Sequence, residues 1–158
     1  MKIAVLRKGC AKLKSFWAAA QWRTLAGIQI GILLKRKVLE RLKAEFESIE
    51  VINIKFDLEQ LEVTVLIDGY KLDVSFDSPA GFRVLDEGDL LEFWPDCSSP
   101  NGWLYEISEG GWFDQERSRK GFFSTANNPE VREYFIVGTN YCVSVLALAA
   151  PCVVESIR

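Results

Sequence analysis

Two runs of period-two alternation meet at Asp68-Gly69, and no other feature restricts the fold as tightly. Leu61, Val63, Val65 and Ile67 alternate with Glu62, Thr64 and Leu66 on one side; Tyr70, Leu72, Val74 and Phe76 alternate with Lys71, Asp73 and Ser75 on the other. A period of two sends successive side chains to opposite faces of a strand. Asp-Gly suits the two left-handed central positions of a type I′ turn, whose twist matches the strands it joins. The reading is an antiparallel hairpin with one buried face, extended by a third strand through Ile52, Ile54 and Phe56.

The rest of the chain supplies further elements. Leu90–Trp94 and Trp103–Ile107 read as short strands divided by the turn-rich Pro95–Gly102, and period two places Trp103 and Tyr105 on one face. Glu109-Gly110-Gly111 is a turn, and Asn128-Pro129-Glu130 has the capping Asn and first-position Pro of a helix start. Tyr134–Val137, a Thr139-Asn140 turn, Tyr141–Leu148, a break at Pro151 and Cys152–Ile157 complete the pattern. Upstream, Leu34, Val38, Leu42, Phe46 and Ile49 recur at helical spacing and predict an amphipathic helix. Helix first and strands after gives an α+β fold: an N-terminal helical segment packed on a mainly antiparallel sheet of about six or more strands. With 158 residues the chain is read as a single domain, a basic helical segment over 1–48 and an acidic, sheet-rich body over 49–158.

Charge divides the chain the same way. Residues 1–46 hold eleven Lys and Arg against Glu40 and Glu45, a net of +9, whereas residues 47–158 carry a net of −12. The basic start precedes an apolar stretch over residues 15–34, long enough to span a bilayer, but Arg23 falls in its middle and costs about 2.5–3.5 kcal/mol on insertion scales. No small-x-small cleavage site follows it, so a cytoplasmic protein is preferred to a membrane-associated one anchored there. Gly27 and Gly31 fit close packing against a neighbouring helix in either setting. The N-terminal cations offer nucleic acid an electrostatic foothold, which the negative remainder opposes.

The chain contains no His, which removes the commonest general base and metal ligand, along with Ser–His and Cys–His nucleophile pairs. Cys10, Cys97, Cys142 and Cys152 form no CxxC pair and read as reduced, mostly buried thiols; a Cys142–Cys152 bridge is the alternative if their strands lie side by side. Gly110–Gly121 lacks the spacing of a phosphate loop. No metal or cofactor is therefore expected.

The densest acidic run is Asp86-Glu87-Gly88-Asp89 with Glu92 and Asp96. It suits a solvated turn, an acidic patch for a basic protein partner, or a carboxylate-dependent enzyme, in that order. Trp94, Trp103, Tyr105, Trp112 and Phe113 crowd the same region, with Glu109 and Asp114 beside Trp112. Trp94 and Trp103 read as core. Trp112, after a Gly-Gly turn, suits the core or an exposed anchor equally, and aromatics bordered by acids make binding hot spots.

Phe82-Arg83-Val84-Leu85-Asp86-Glu87-Gly88-Asp89, then Trp94, Gly111-Trp112, Tyr134-Phe135-Ile136-Val137, Cys142-Val143-Ser144-Val145-Leu146 and Pro151 form a series. It resembles small bacterial immunity proteins, the partners of polymorphic or contact-dependent toxins, over less than half the chain. The resemblance implies a cytosolic, non-catalytic protein that binds and neutralises one cognate toxin. Such a partner, where basic, would meet Asp86, Glu87, Asp89, Glu92, Asp96, Glu109, Trp112 and Asp114.

Overall fold

The computed structural model describes residues 35–40, 48–98 and 101–156. The central hairpin forms as its sequence requires. β3 (Gln60–Ile67) and β4 (Tyr70–Asp77) pair in unbroken register, and both turn residues are left-handed, Asp68 at φ 47° and Gly69 at φ 86°. β2 (Ile49–Phe56) adds on one side and β9 (Cys152–Glu155) on the other, giving a four-stranded antiparallel sheet ordered β2-β3-β4-β9.

The second sheet holds five antiparallel strands in the order β1-β6-β7-β8-β5. They are β1 (Lys35–Glu40), β5 (Gly81–Asp86), β6 (Leu104–Glu109), β7 (Arg132–Ile136) and β8 (Tyr141–Ala147). The two sheets pack face to face. Leu61, Val63, Val65, Val74 and Phe76 meet Leu104, Tyr134, Ile136, Val143 and Val145, and all are buried. Phe76 and Tyr134 place their ring centroids 5.7 Å apart across this core. Each large apolar side chain contributes about 1.5–3 kcal/mol on full burial, so this layer is the main support of the fold.

A polar clasp joins the sheets where β7 turns into β8. The Asn140 side chain accepts from the Val51 amide at 3.0 Å and donates to the Val51 carbonyl at 3.0 Å, as a neighbouring strand would. Thr139 donates to the Ile49 carbonyl through its amide at 2.7 Å and its hydroxyl at 2.9 Å. The start of β2 is thereby satisfied on the side that β3 leaves open.

Several expectations are corrected. Lys35–Glu40 is a strand, not the start of an amphipathic helix, and Ile49 opens β2. β1 gains a ladder with β6 and the Lys37–Glu106 ion pair at 3.5 Å, and tertiary pairing of this kind outweighs helix propensity in a short segment. Residues 41–47 lie outside the described residues, as do Gly27, Gly31 and the apolar stretch 15–34. Leu90–Trp94 is no strand: a 3-10 turn (Glu87–Leu90) runs on into further turns, because Leu90, Phe93 and Cys97 all point into one core. Asn128-Pro129-Glu130 begins no helix; the Asn128 side chain accepts from the Glu130 amide in a turn that leads into β7. Trp103 precedes β6 and enters the inter-sheet core, whereas Tyr105 lies on the opposite face. Cys142 and Cys152 fall in different sheets, and Cys97, Cys142 and Cys152 are free thiols. Among the described residues the one α-helix is α1 (Trp112–Arg117), so the observed architecture is mainly antiparallel β.

Candidate functional site

The outer face of the five-stranded sheet is where the sequence-predicted site residues gather. Two excursions cover it. The first leaves the end of β5, where the Asp86 carboxylate accepts from the Gly88 amide at 2.9 Å and starts the 3-10 turn. Leu90, Phe93 and Cys97 then pack onto Tyr105, Ile107, Phe135, Val137 and Cys142, with Phe93 and Phe135 4.9 Å apart. Trp94 is half-buried, and its indole donates to the Glu87 carbonyl at 3.2 Å. The acids consequently project away from this small core.

α1 belongs to the second excursion, and a buried carboxylate holds it. Glu133, 1% exposed, projects from β7 and accepts from the Trp112 amide at 3.1 Å and the Phe113 amide at 2.8 Å. Gly111 makes this approach possible: a Cβ there would fall inside contact distance of the Glu133 carboxylate and 2.7 Å from Ile107 Cγ2. Arg83 of β5 stacks 5.3 Å over the Trp112 ring and reaches Gln115 Oε1 and the Ser144 hydroxyl at 3.4 Å each. Trp112 is thus a half-buried platform whose indole N–H donates to Glu116 at 3.1 Å. Sequence reasoning missed Glu133, although its period-two spacing from Phe135 and Val137 marks it as facing this core.

Burial raises the Glu133 carboxyl above its ordinary value of 4.5; the two amides and the Arg83 charge oppose that rise. A native state that holds the proton more tightly loses stability as pH rises from 4.5 through the elevated native value. The carboxylates held low, Asp73 by Ser156 and Thr64, Asp57 by the Gln60 and Glu59 amides, and Glu116 by Arg119 and Trp112, act in separate windows below their ordinary 3.8, 3.8 and 4.5. Urea unfolding midpoints should therefore fall for the wild type as pH rises above 4.5, and that slope should flatten in Glu133→Gln. An equal slope in both proteins would show that another group is responsible.

The acids divide by environment. Asp86, Glu87, Asp89 and Glu92 sit together on the first excursion; among the described residues none of them forms an ion pair, and Arg83 acts on Glu92 only through its charge at longer range. Asp96, farther along it, faces Arg36 at 3.8 Å. Asp114 accepts from the Gly110 amide at 2.7 Å and lies 3.9 Å from Arg117. Glu109 ends β6 and is exposed. From Val84 to Glu116 the chain carries nine acids and no Lys or Arg. Two exposed apolar residues border the unpaired group: Leu91 between Asp89 and Glu92, 69% exposed, and Tyr141 opposite Asp86 in the ladder, 48% exposed.

Little else among the described residues offers chemistry. A cavity of about 10 Å³ lies beneath the first excursion, lined by Leu90, Phe93, Trp94, Cys97, Phe135, Val137 and Cys142, with no carboxylate on its wall. It has room for about one water. Burial pushes the Cys97 thiol up to about 12 and raises Cys142, so both stay protonated at neutral pH and act as small apolar fillers. Among these residues no group of three or more Cys, Asp and Glu gathers as a metal ion would need. No helix among them is long and apolar enough to cross a membrane.

Comparison with known proteins finds no matching family model, no matching curated protein and no matching solved structure. The fold and the site define the chain as a two-sheet antiparallel protein with an acidic excursion beside an edge strand.

Proposed function

We propose that this chain is a non-catalytic binding protein of the cytoplasm, an immunity-type inhibitor that neutralises one basic toxin through its acidic excursion. The observation that carries the reading is the group Asp86, Glu87, Asp89 and Glu92, projecting from an apolar base; among the described residues none of the four forms an ion pair, and the one cation near them, Arg83 by Glu92, is stacked on Trp112. Carboxylates already paired within a protein offer a partner little; unpaired ones set a field that steers a basic partner and matches its charges on contact. Leu91 and Tyr141 supply the apolar contact area that charge alone lacks. The resemblance of residues 82–151 to immunity proteins of toxin systems supports the same reading.

The test is capture from a lysate of the source cell with the wild type and with Asp86→Lys/Glu87→Lys/Asp89→Lys. The wild type should retain a strongly cationic protein whose activity one equivalent of the chain abolishes. The triple reversal should bind it at least about 100-fold more weakly, since close interfacial charge pairs couple by about 1.5 kcal/mol or more each. Unchanged thermal unfolding of the reversal would confirm that the fold is intact. Equal affinity of both proteins for the cationic partner would refute the acidic excursion as the contact.

A further inference from the structure

Each sheet has two edge strands, and the four differ in how they are guarded. β1 carries two register irregularities, between Lys35 and Arg36 and between Val38 and Glu40, and the sequence Lys-Arg-Lys runs along it. β2 has an irregularity between Val51 and Asn53, and the Thr139-Asn140 turn bonds its first residues. β9 has four residues. Bulges, edge cations, covering turns and shortness are the devices that keep sheet edges from pairing with other chains. β5 has no bulge, no covering turn among the described residues and no shortening, and its one cation, Arg83, is drawn off the edge: six residues hold unbroken register with β8 from Gly81–Leu146 to Asp86–Tyr141.

The outward backbone of β5 follows from the ladder. The Glu87 amide donates to the Asn140 carbonyl, so the alternation of an antiparallel pair turns Leu85 and Arg83 toward β8. Phe82, Val84 and Asp86 then present their amides and carbonyls outward, and among the described residues no backbone group meets them. Arg83, the one cation in this strand, is folded onto Trp112 and Gln115 with Glu92, Glu116 and Glu133 around it, so it leaves the edge free of repulsion toward a cation. The C-terminal end of the same edge runs straight into Asp86, Glu87, Asp89 and Glu92.

We infer that β5 is a docking edge that takes an extended, Lys- and Arg-bearing segment of a partner protein as a sixth strand of the five-stranded sheet. Main-chain bonds to Phe82, Val84 and Asp86 supply register, and the acids at the strand's end select a basic segment. This inference rests on the proposed function and specifies how the partner of that acidic face is held.

The test is amide hydrogen exchange on the full chain at low salt, alone and with an octapeptide of alternating Lys and Val; alternating Glu and Val is the control. The Lys-Val peptide should slow exchange at Val84 and Asp86 at least tenfold, the Glu-Val peptide should not, and Asp86→Lys/Glu87→Lys/Asp89→Lys should abolish the effect. Val84→Pro, which removes one outward donor and leaves the Arg83 and Leu85 bonds to β8, should also abolish it; the wild-type exchange pattern decides the matter should that variant unfold. No slowing, or slowing confined to β1, β2 or β9, overturns the inference. Peptide binding that the triple reversal removes but that leaves Val84 and Asp86 exchanging freely overturns the docking edge alone and leaves the acidic face standing. Protection of these amides that grows with protein concentration in the absence of peptide would assign the edge to a second copy of this chain, and would equally overturn it.

Discussion

Glu133→Ala should unfold at a temperature about 6–12 °C below the wild type, which for a chain of this size corresponds to a loss of about 3 kcal/mol. The carboxylate is 1% exposed and accepts from the amides of both Trp112 and Phe113, so its removal leaves two donors without a partner in an apolar setting. An orphaned buried donor costs about 1–3 kcal/mol. The damage should be local. α1 would lose its anchor on β7, and tryptophan fluorescence should report release of Trp112 from beneath Arg83 before global unfolding. Glu133→Gln keeps the shape and one acceptor and should cost less. A Glu133→Ala protein as stable as the wild type would show that α1 is held by its apolar contacts alone.

Gly138→Ala should cost a similar amount for a different reason. A Cβ at this position would fall inside contact distance of the Tyr141 carbonyl oxygen, 3.1 Å from Asn140 Oδ1 and 3.2 Å from Val51 Cγ2. The backbone oxygen cannot swing aside as a side chain would, so the turn must move and take Asn140 off Val51. Overpacking costs about 1–3 kcal/mol and each lost hydrogen bond about 1 kcal/mol more, for a total near 3 kcal/mol. Gly121 gives the control, because nothing lies within 4 Å of a Cβ added there, and Gly121→Ala should change the unfolding midpoint little. If denaturant melts placed the two alanine variants together, the clasp between the sheets would be dispensable.

How far the sequence disclosed this structure depended on whether the decisive contacts were local. The Asp68-Gly69 hairpin was legible because turn and alternation lie within one span of chain, and both turn residues are left-handed as that pattern demands. β6, β7, β8 and β9 were legible to within a few residues for the same reason. Lys35–Glu40 was not, since its partner β6 lies about seventy residues away and its apolar positions also fit a helix. In the excursion after β5, Leu90, Phe93 and Cys97 stand at helical-turn spacing, yet the apolar run Leu90–Trp94 read more readily as a strand. The acids Asp86, Glu87, Asp89 and Glu92 were picked out by density alone, and the structure does gather them on one excursion. The buried support beneath the site was hidden: Arg83 and Glu133 meet only through folding, and although the spacing of Glu133 from Phe135 and Val137 turns it to the core, nothing in the sequence shows that two distant amides depend on it.

The most direct measurement is survival of a host that expresses the captured cationic partner together with this chain. The wild type should restore growth, and Asp86→Lys/Glu87→Lys/Asp89→Lys, expressed at the same level and equally stable, should not. Full protection by the triple reversal would contradict neutralisation through the acidic excursion.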